Sequence, residues 1–252
     1  MSSTTNGAEA DSVEQQQQQA RVDLAAAYRL VELYGWGEGI FNHISMRVPG
    51  APEEFYVKRY DLTYEEVTAS NLMRVRIGAD LDERAGVNRP GYVLHSGILA
   101  ARPDVNCVLH MHTVPIVAVS VMEKGLRMYS QYAALLHGQI GYHAFEGITD
   151  GMAEQPRIAA ALDRGIAMFL RAHGAVTVGR SPARAFTVMG HLVEACRIQL
   201  AVEALGAPVP EIPEAICKRT SEQFAGHDSG RGTAEWPALL RRLDAIDRSY
   251  RN

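Results

Sequence analysis

The sequence predicts an α/β sandwich on a mixed, partly antiparallel sheet, and three observations carry that prediction. Strand-like and helix-like stretches are interleaved, but not in the strict alternation of a doubly wound sheet. No Gly-x-Gly-x-x-Gly turn is present, which argues against a dinucleotide-binding fold. No internal repeat divides the 252 residues, and 47% apolar with 21% charged residues suits one substantial core.

The elements follow in order. Residues 1–19 are polar and end in a glutamine run, so they are expected to remain a disordered tail. From Ala20 the pattern turns helical, with Leu24, Tyr28, Val31 and Tyr34 on one stripe and Gly35 as the stop. Gly37 and Gly39 make a loop, followed by strand-like runs at 44–48, 55–57 and 72–77 punctuated by Pro49-Gly50 and Pro52. A helix is expected over 92–101, a strand over 105–111, and a helix over 114–122 entered through Thr113 and Pro115. Another helix is expected over 155–162, with short strands at 167–171 and 175–178 around His173-Gly174. Ser181 caps a long helix that starts at Pro182 and runs to about Leu205. The main domain is therefore placed at 20–206. The extension 207–252 reads as Pro-rich chain and then one short helix bearing Trp236, Leu239, Leu240, Leu243 and Ile246, which would dock on something such as a neighbouring subunit.

Composition narrows the function. A net charge of -4 and the lack of a basic stripe argue against a nucleic-acid partner. No apolar run is long enough to span a bilayer, and no basic-then-apolar start suggests a secretory signal. Cys107, Cys196 and Cys217 are odd in number and widely spaced, which indicates neither a disulfide framework nor a Cys-x-x-Cys zinc site. A protein of the reducing cytoplasm is the expectation.

Chemistry concentrates in the histidines. In His110-Met111-His112, at the end of an apolar strand, the two imidazoles share a face and Met111 takes the other. Their α-carbons would lie roughly 6.5 Å apart, within reach of one ion. A hydrogen-bonded histidine pair is the plainer alternative. His173, before Gly174 at a strand-to-strand turn, is the third candidate ligand, although a lone histidine there says little by itself. Three neutral imidazoles plus an open position suit a catalytic zinc, and equally iron or manganese. His95 reads as a group that supports the ligands or as a fourth ligand, and His143 as the end of a strand near a site, each with a packing role as the alternative. His43 follows Asn42 where the backbone could approach a ligand, whereas His137, His191 and His227 are expected to do no chemistry. Lys58, Arg59 and Arg89 could hold a carboxylate or phosphate, or simply be solvated. Glu65, Glu66 and Glu146 read as surface acids.

These residues, in this order, resemble the class II aldolase/adducin family over 21–205. The resemblance rests on Gly35-Trp36-Gly37, Phe41-Asn42-His43-Ile44-Ser45, and the run from Leu62 to Ser70. It continues through Asn88-Arg89-Pro90-Gly91, His95-Ser96-Gly97, Ala101 to Val105, His110-Met111-His112-Thr113, Tyr142-His143, and Leu170 to Gly174. The wording is closer to the adducin head and its bacterial relatives than to sugar-phosphate aldolases. The resemblance implies a three-layer α/β/α class II aldolase-like sandwich, a homotetramer with sites at subunit boundaries, and one divalent ion on His110, His112 and His173, by family most often zinc. It also marks departures. The glutamate that such aldolases carry four residues before the His95 position is Gly91 here. Of the phosphate loop Asn42 remains, while Tyr60, Asp61, Arg89 and Pro90 stand at the other positions. Ala172 replaces a common asparagine.

Three functions follow as expectations. The first is a metal-dependent lyase on a small non-phosphorylated carbonyl or carboxylate substrate, with Asn42, Lys58 and Arg89 binding it and His95 and His143 moving protons. The second is a non-haem iron oxygenase cleaving an aromatic 2-oxo or 2-hydroxy acid. The third is a non-catalytic adducin-like interaction domain.

Overall fold

The computed structural model describes residues 4–81, 85–227 and 231–252. Its first helix, α1 (Thr4–Leu33), replaces the expected disordered tail from Thr4 onward; residues 1–3 lie outside the described residues. Low hydrophobicity was the wrong guide, because Ala, Glu and Gln propagate a helix well and the added turns are anchored. Gln17 Nε2 donates to Pro49 O at 2.8 Å, and Val13 sits over the Gly50 turn, where a Cβ would meet Val13 Cγ1 at 2.9 Å. Further along, Leu24, Tyr28 and Val31 are fully buried. The Tyr28 hydroxyl ties the helix to the first strand by donating to Ile44 O and accepting from Ile44 N.

Seven strands follow: β1 (His43–Val48), β2 (Ala51–Val57), β3 (Met73–Arg76), β4 (Cys107–Met111), β5 (Ile140–His143), β6 (Ala167–Leu170) and β7 (Gly174–Gly179). They form one sheet in the order β3-β2-β1-β4-β7-β6-β5. Every neighbouring pair is antiparallel except β5–β6, so the sheet is mixed, as expected. The helices are α2 (Arg89–Ala101), α3 (Val114–Ser120), α4 (Gln131–Leu135), α5 (Gln155–Leu162), α6 (Pro182–Glu203), α7 (Glu214–His227) and α8 (Arg231–Asp244).

Strand alternation divides the core into two layers. Cys107, Leu109, Met111, Phe169 and Ala175 face α1, α3 and α6. Val108, Met168, Leu170, Val176 and Val178 face α2 and α5. This is the three-layer α/β/α arrangement. His43, Ser45 and His110 have the parity of the α2 side, which sets up the site.

Other differences have local causes. Asn88 caps α2 by accepting from Gly91 N, so the helix starts at Arg89 and His95 lies in its middle. Among the described residues, the extension carries two α-helices, not one. Of the described side chains of α7, Cys217, Ser221 and Phe224 are buried, too few to give a clear period. The predicted last helix does dock, but on its own chain: Trp236, Leu239 and Leu243 join the α1/α6 core, and Trp236 Nε1 donates to Asp23 Oδ1. Among the described residues, no helix is long and apolar enough to cross a membrane.

Candidate metal centre

Strand β4 delivers His110, and the chain just beyond it delivers His112 on the same side. His110 Nδ1 lies 3.0 Å from Ala175 O. A carbonyl can only accept, so Nδ1 carries the proton and Nε2 keeps its lone pair. His112 Nδ1 lies 2.9 Å from Glu38 Oε2, a second acceptor, and the same reasoning leaves Nε2 of the neutral ring unprotonated. The two Nε2 atoms face each other 2.7 Å apart. Two lone pairs repel at that distance, and a cation between them turns repulsion into ligation. Histidine ligands that donate their other N–H to a carbonyl or carboxylate have the usual support of a metal site.

His173 completes the group from the β6–β7 turn. Ala172 adopts the left-handed conformation there, with φ of 56°, and His173 N donates to Leu170 O. Gly174 lets this turn press against the end of β4: a Cβ on it would lie 2.5 Å from Met111 O and 2.8 Å from His112 Cδ2. One ligand nitrogen from each of the three histidines falls within 4.8 Å of the others. Burial first, and neighbouring imidazoles second, push the His110 pKa well below the usual histidine range. The same causes bring His173 down to about 4. Neutral rings are the form that ligates metal. The donor set, its fixed tautomers and its convergence thus fit a divalent ion.

A second chain of histidines abuts the triad. β1 pairs His43 directly opposite His110, and their rings stack at 5.1 Å. His43 Nδ1 lies 2.8 Å from His95 Nε2, and His95 Nδ1 lies 2.6 Å from Ser45 Oγ. Both ring nitrogens of His95 are therefore engaged, and it reaches the cleft only through His43. Burial brings the His95 pKa down to about 3. The His43 ring also fills the space beside Gly91, where a Cβ would lie 2.5 Å from its Nε2. The place of the missing glutamate is occupied, not empty.

A cleft of about 550 Å³ opens onto the triad, and its walls include Phe41, Asn42, His43, Arg89, Leu94 and Ile148. Arg89 stands in the wall, and it donates from Nε to Asp150 O and from Nη1 to Leu81 O. Lys58 corrects the reading. It is 3% exposed, and its ammonium donates to the carbonyls of Ile40, Arg59, Tyr60 and Leu62. Those contacts consume its N–H groups and pin the loop under the cleft instead of a substrate carboxylate. Lys58→Met is expected to cost about 3 kcal/mol by orphaning these carbonyls, read as a lower midpoint in urea. A loss under 0.5 kcal/mol would deny the lysine this structural role.

His143 is also placed elsewhere. It pairs with Glu154 at 2.9 Å and lies 3.8 Å from Glu146, is absent from the cleft wall, and has its Glu146 neighbour clamped by Arg157. Glu38 escaped the sequence reading, Ser45 entered it only within the stretch that carries the resemblance, and His43 was read beyond that only as a loop residue. The parity of His43-Ile44-Ser45 could have placed His43 and Ser45 on the histidine face, but nothing local marks Glu38.

The model of the class II aldolase and adducin N-terminal domain matches residues 22–200. A Pseudomonas aeruginosa protein, provisionally named an aldolase class 2 protein, is 39% identical over 92% of both chains. Alpha-adducin of Rattus norvegicus is 38% identical over 90% of this chain, which spans a third of that protein. Among solved structures, an aldolase II superfamily protein from Pseudomonas syringae superposes with a TM-score of 0.87 at 39% identity, covering 94% of this chain and 96% of its own. An L-fuculose 1-phosphate aldolase from Glaciozyma antarctica gives 0.80 at 26% identity, covering 95% and 94%. By the extent of these matches, this chain belongs to the class II aldolase and adducin N-terminal domain family.

Proposed function

We propose that this chain is a divalent-metal-dependent lyase that breaks or forms a carbon–carbon bond beside the carbonyl of a small, non-phosphorylated substrate. The observation that carries this reading is the convergence of two Nε2 atoms, whose neutral rings have the tautomer fixed from behind by Ala175 O or Glu38. When bound, the ion, zinc by family preference and iron or manganese by ligand chemistry, polarises a carbonyl oxygen. In the cleavage direction the substrate hydroxyl loses its proton and the carbon–carbon bond breaks. The electron pair stays on the carbon beside the carbonyl, and that carbon takes up a proton. His43 lines the cleft beside Gly91, and His95, held by Ser45, orients it; these are the groups at hand for moving a proton. The mostly apolar wall, with Lys58 committed to carbonyls, favours a substrate without a phosphate. The exposed apolar residues near the cleft, Phe41, Val114 and Ile148, suit a homotetramer whose subunits meet there.

The purified protein, loaded separately with zinc, manganese or Fe(II), should release an aldehyde or ketone from 4-hydroxy-2-oxo acids without consuming oxygen. Phosphorylated analogues should give no advantage. A second reading, the iron oxygenase, draws on the all-histidine ligand set and the apolar cleft, which an aromatic acid would fit. Oxygen uptake with Fe(II) alone would replace the lyase with it. Metal-loaded protein that neither cleaves nor consumes oxygen would leave the adducin-like scaffold.

A further inference from the structure

Asn42 is 2% exposed and lines the cleft, and its Oδ1 is buried without any hydrogen-bond partner. The orientation of its amide is not arbitrary. Nδ2 donates to Glu38 Oε2 at 3.2 Å, the oxygen that also accepts from His112 Nδ1 at 2.9 Å. Reversing the amide would set Oδ1 against a carboxylate oxygen, lone pair against lone pair. Glu38 therefore fixes two things at once: the ligating tautomer of His112 and the acceptor end of Asn42. The backbone agrees with a held side chain, because Asn42 sits at φ of 63°, a left-handed conformation that asparagine tolerates better than most residues. A buried acceptor left unpaired costs roughly 1–3 kcal/mol. A cost of that size at the edge of a ligand cleft points to a partner that arrives with the ligand.

We propose that Asn42 Oδ1 is a specificity determinant that accepts a hydrogen bond from a hydroxyl of the substrate. The family resemblance leaves this asparagine as the remnant of a phosphate loop, but with Nδ2 spent on Glu38 the side chain presents the wrong polarity for an anion. A phosphate or carboxylate oxygen at this point meets another acceptor, whereas a hydroxyl donates to it. The inference rests on the metal-centre reading, since it assumes that the ligand is anchored at the triad next door.

The test uses three metal-chelating probes with zinc-loaded full-length protein, followed by calorimetric titration. Acetohydroxamate and glycolohydroxamate differ by one hydroxyl, and phosphonoacetohydroxamate carries an anion instead. Wild type is expected to bind glycolohydroxamate about tenfold more tightly than acetohydroxamate, and the phosphonate no better than acetohydroxamate. Asn42→Gly keeps the left-handed backbone without strain. It should retain zinc and its acetohydroxamate affinity but bind the two uncharged probes equally. Equal binding of those probes by wild type, a phosphonate preference, or a hydroxyl preference that survives in Asn42→Gly overturns the proposal. The wild-type comparison needs no variant, so a misfolded mutant does not rescue it. Failure of wild type to hold zinc, or to bind any hydroxamate once loaded, is a different result: it overturns the metal centre and takes this inference with it.

Discussion

Replacing His110 and His112 together by alanine is expected to lower bound metal from about one ion per subunit to background, and to abolish lyase turnover with it. The two rings supply the facing Nε2 pair, and His173 alone cannot hold a divalent ion. The fold should survive. Outside the pair, the His110 ring bonds to Ala175 O, and that carbonyl already lies in the β4–β7 ladder. Elemental analysis of wild type and double variant, purified side by side without chelator or added metal, checks this. Equal metal in both proteins would place the ion elsewhere, with the cluster of His143, Glu146 and Glu154 the next to examine.

Gly174→Ala is the second large effect. The added methyl would lie 2.5 Å from Met111 O, a backbone atom at the end of the central strand that cannot swing aside. β7 must then separate from the end of β4, at a cost of about 2–3 kcal/mol. That same separation moves His173 away from His112, so zinc affinity should fall at least tenfold. Denaturant unfolding and zinc competition with a chromogenic chelator read the two effects. Gly151→Ala is the control, because nothing lies within 4 Å of its would-be Cβ and its φ is negative; it should change stability by less than about 0.5 kcal/mol. A Gly174→Ala protein as stable and as tightly metallated as wild type would mean that the close approach of the turn to β4 is not what assembles the triad.

Much of the candidate site's geometry was legible because it depends on strand period alone. His110 and His112 are two apart at a strand end, and a period of two puts them on one side whatever the rest of the chain does. His173 was legible only beside a family resemblance, since a histidine before a glycine in a turn looks the same in any protein. Lys58 was misread because a loop lysine does not reveal whether its partner is a carboxylate or a set of carbonyls; only the path of residues 40–62 decides that. Glu38 was invisible, being 72 residues or more from the His110–His112 pair it serves and set in a glycine loop without periodicity. The amino-terminal helix was missed because mean polarity measures what a segment can bury, whereas Gln17 and Val13 hold the helix with a few long-range contacts. His95 stood out in the sequence, but its engagement on both sides by His43 and Ser45 appears only when β1 and α2 are packed together.

X-ray absorption at the zinc edge of the loaded, full-length protein tests the metal centre most directly. Three imidazole nitrogens at about 2.0–2.1 Å, with one oxygen donor completing a four-coordinate shell, is the expected first shell. A spectrum without imidazole scattering, with sulfur neighbours, or with oxygen donors alone would contradict a triad of His110, His112 and His173.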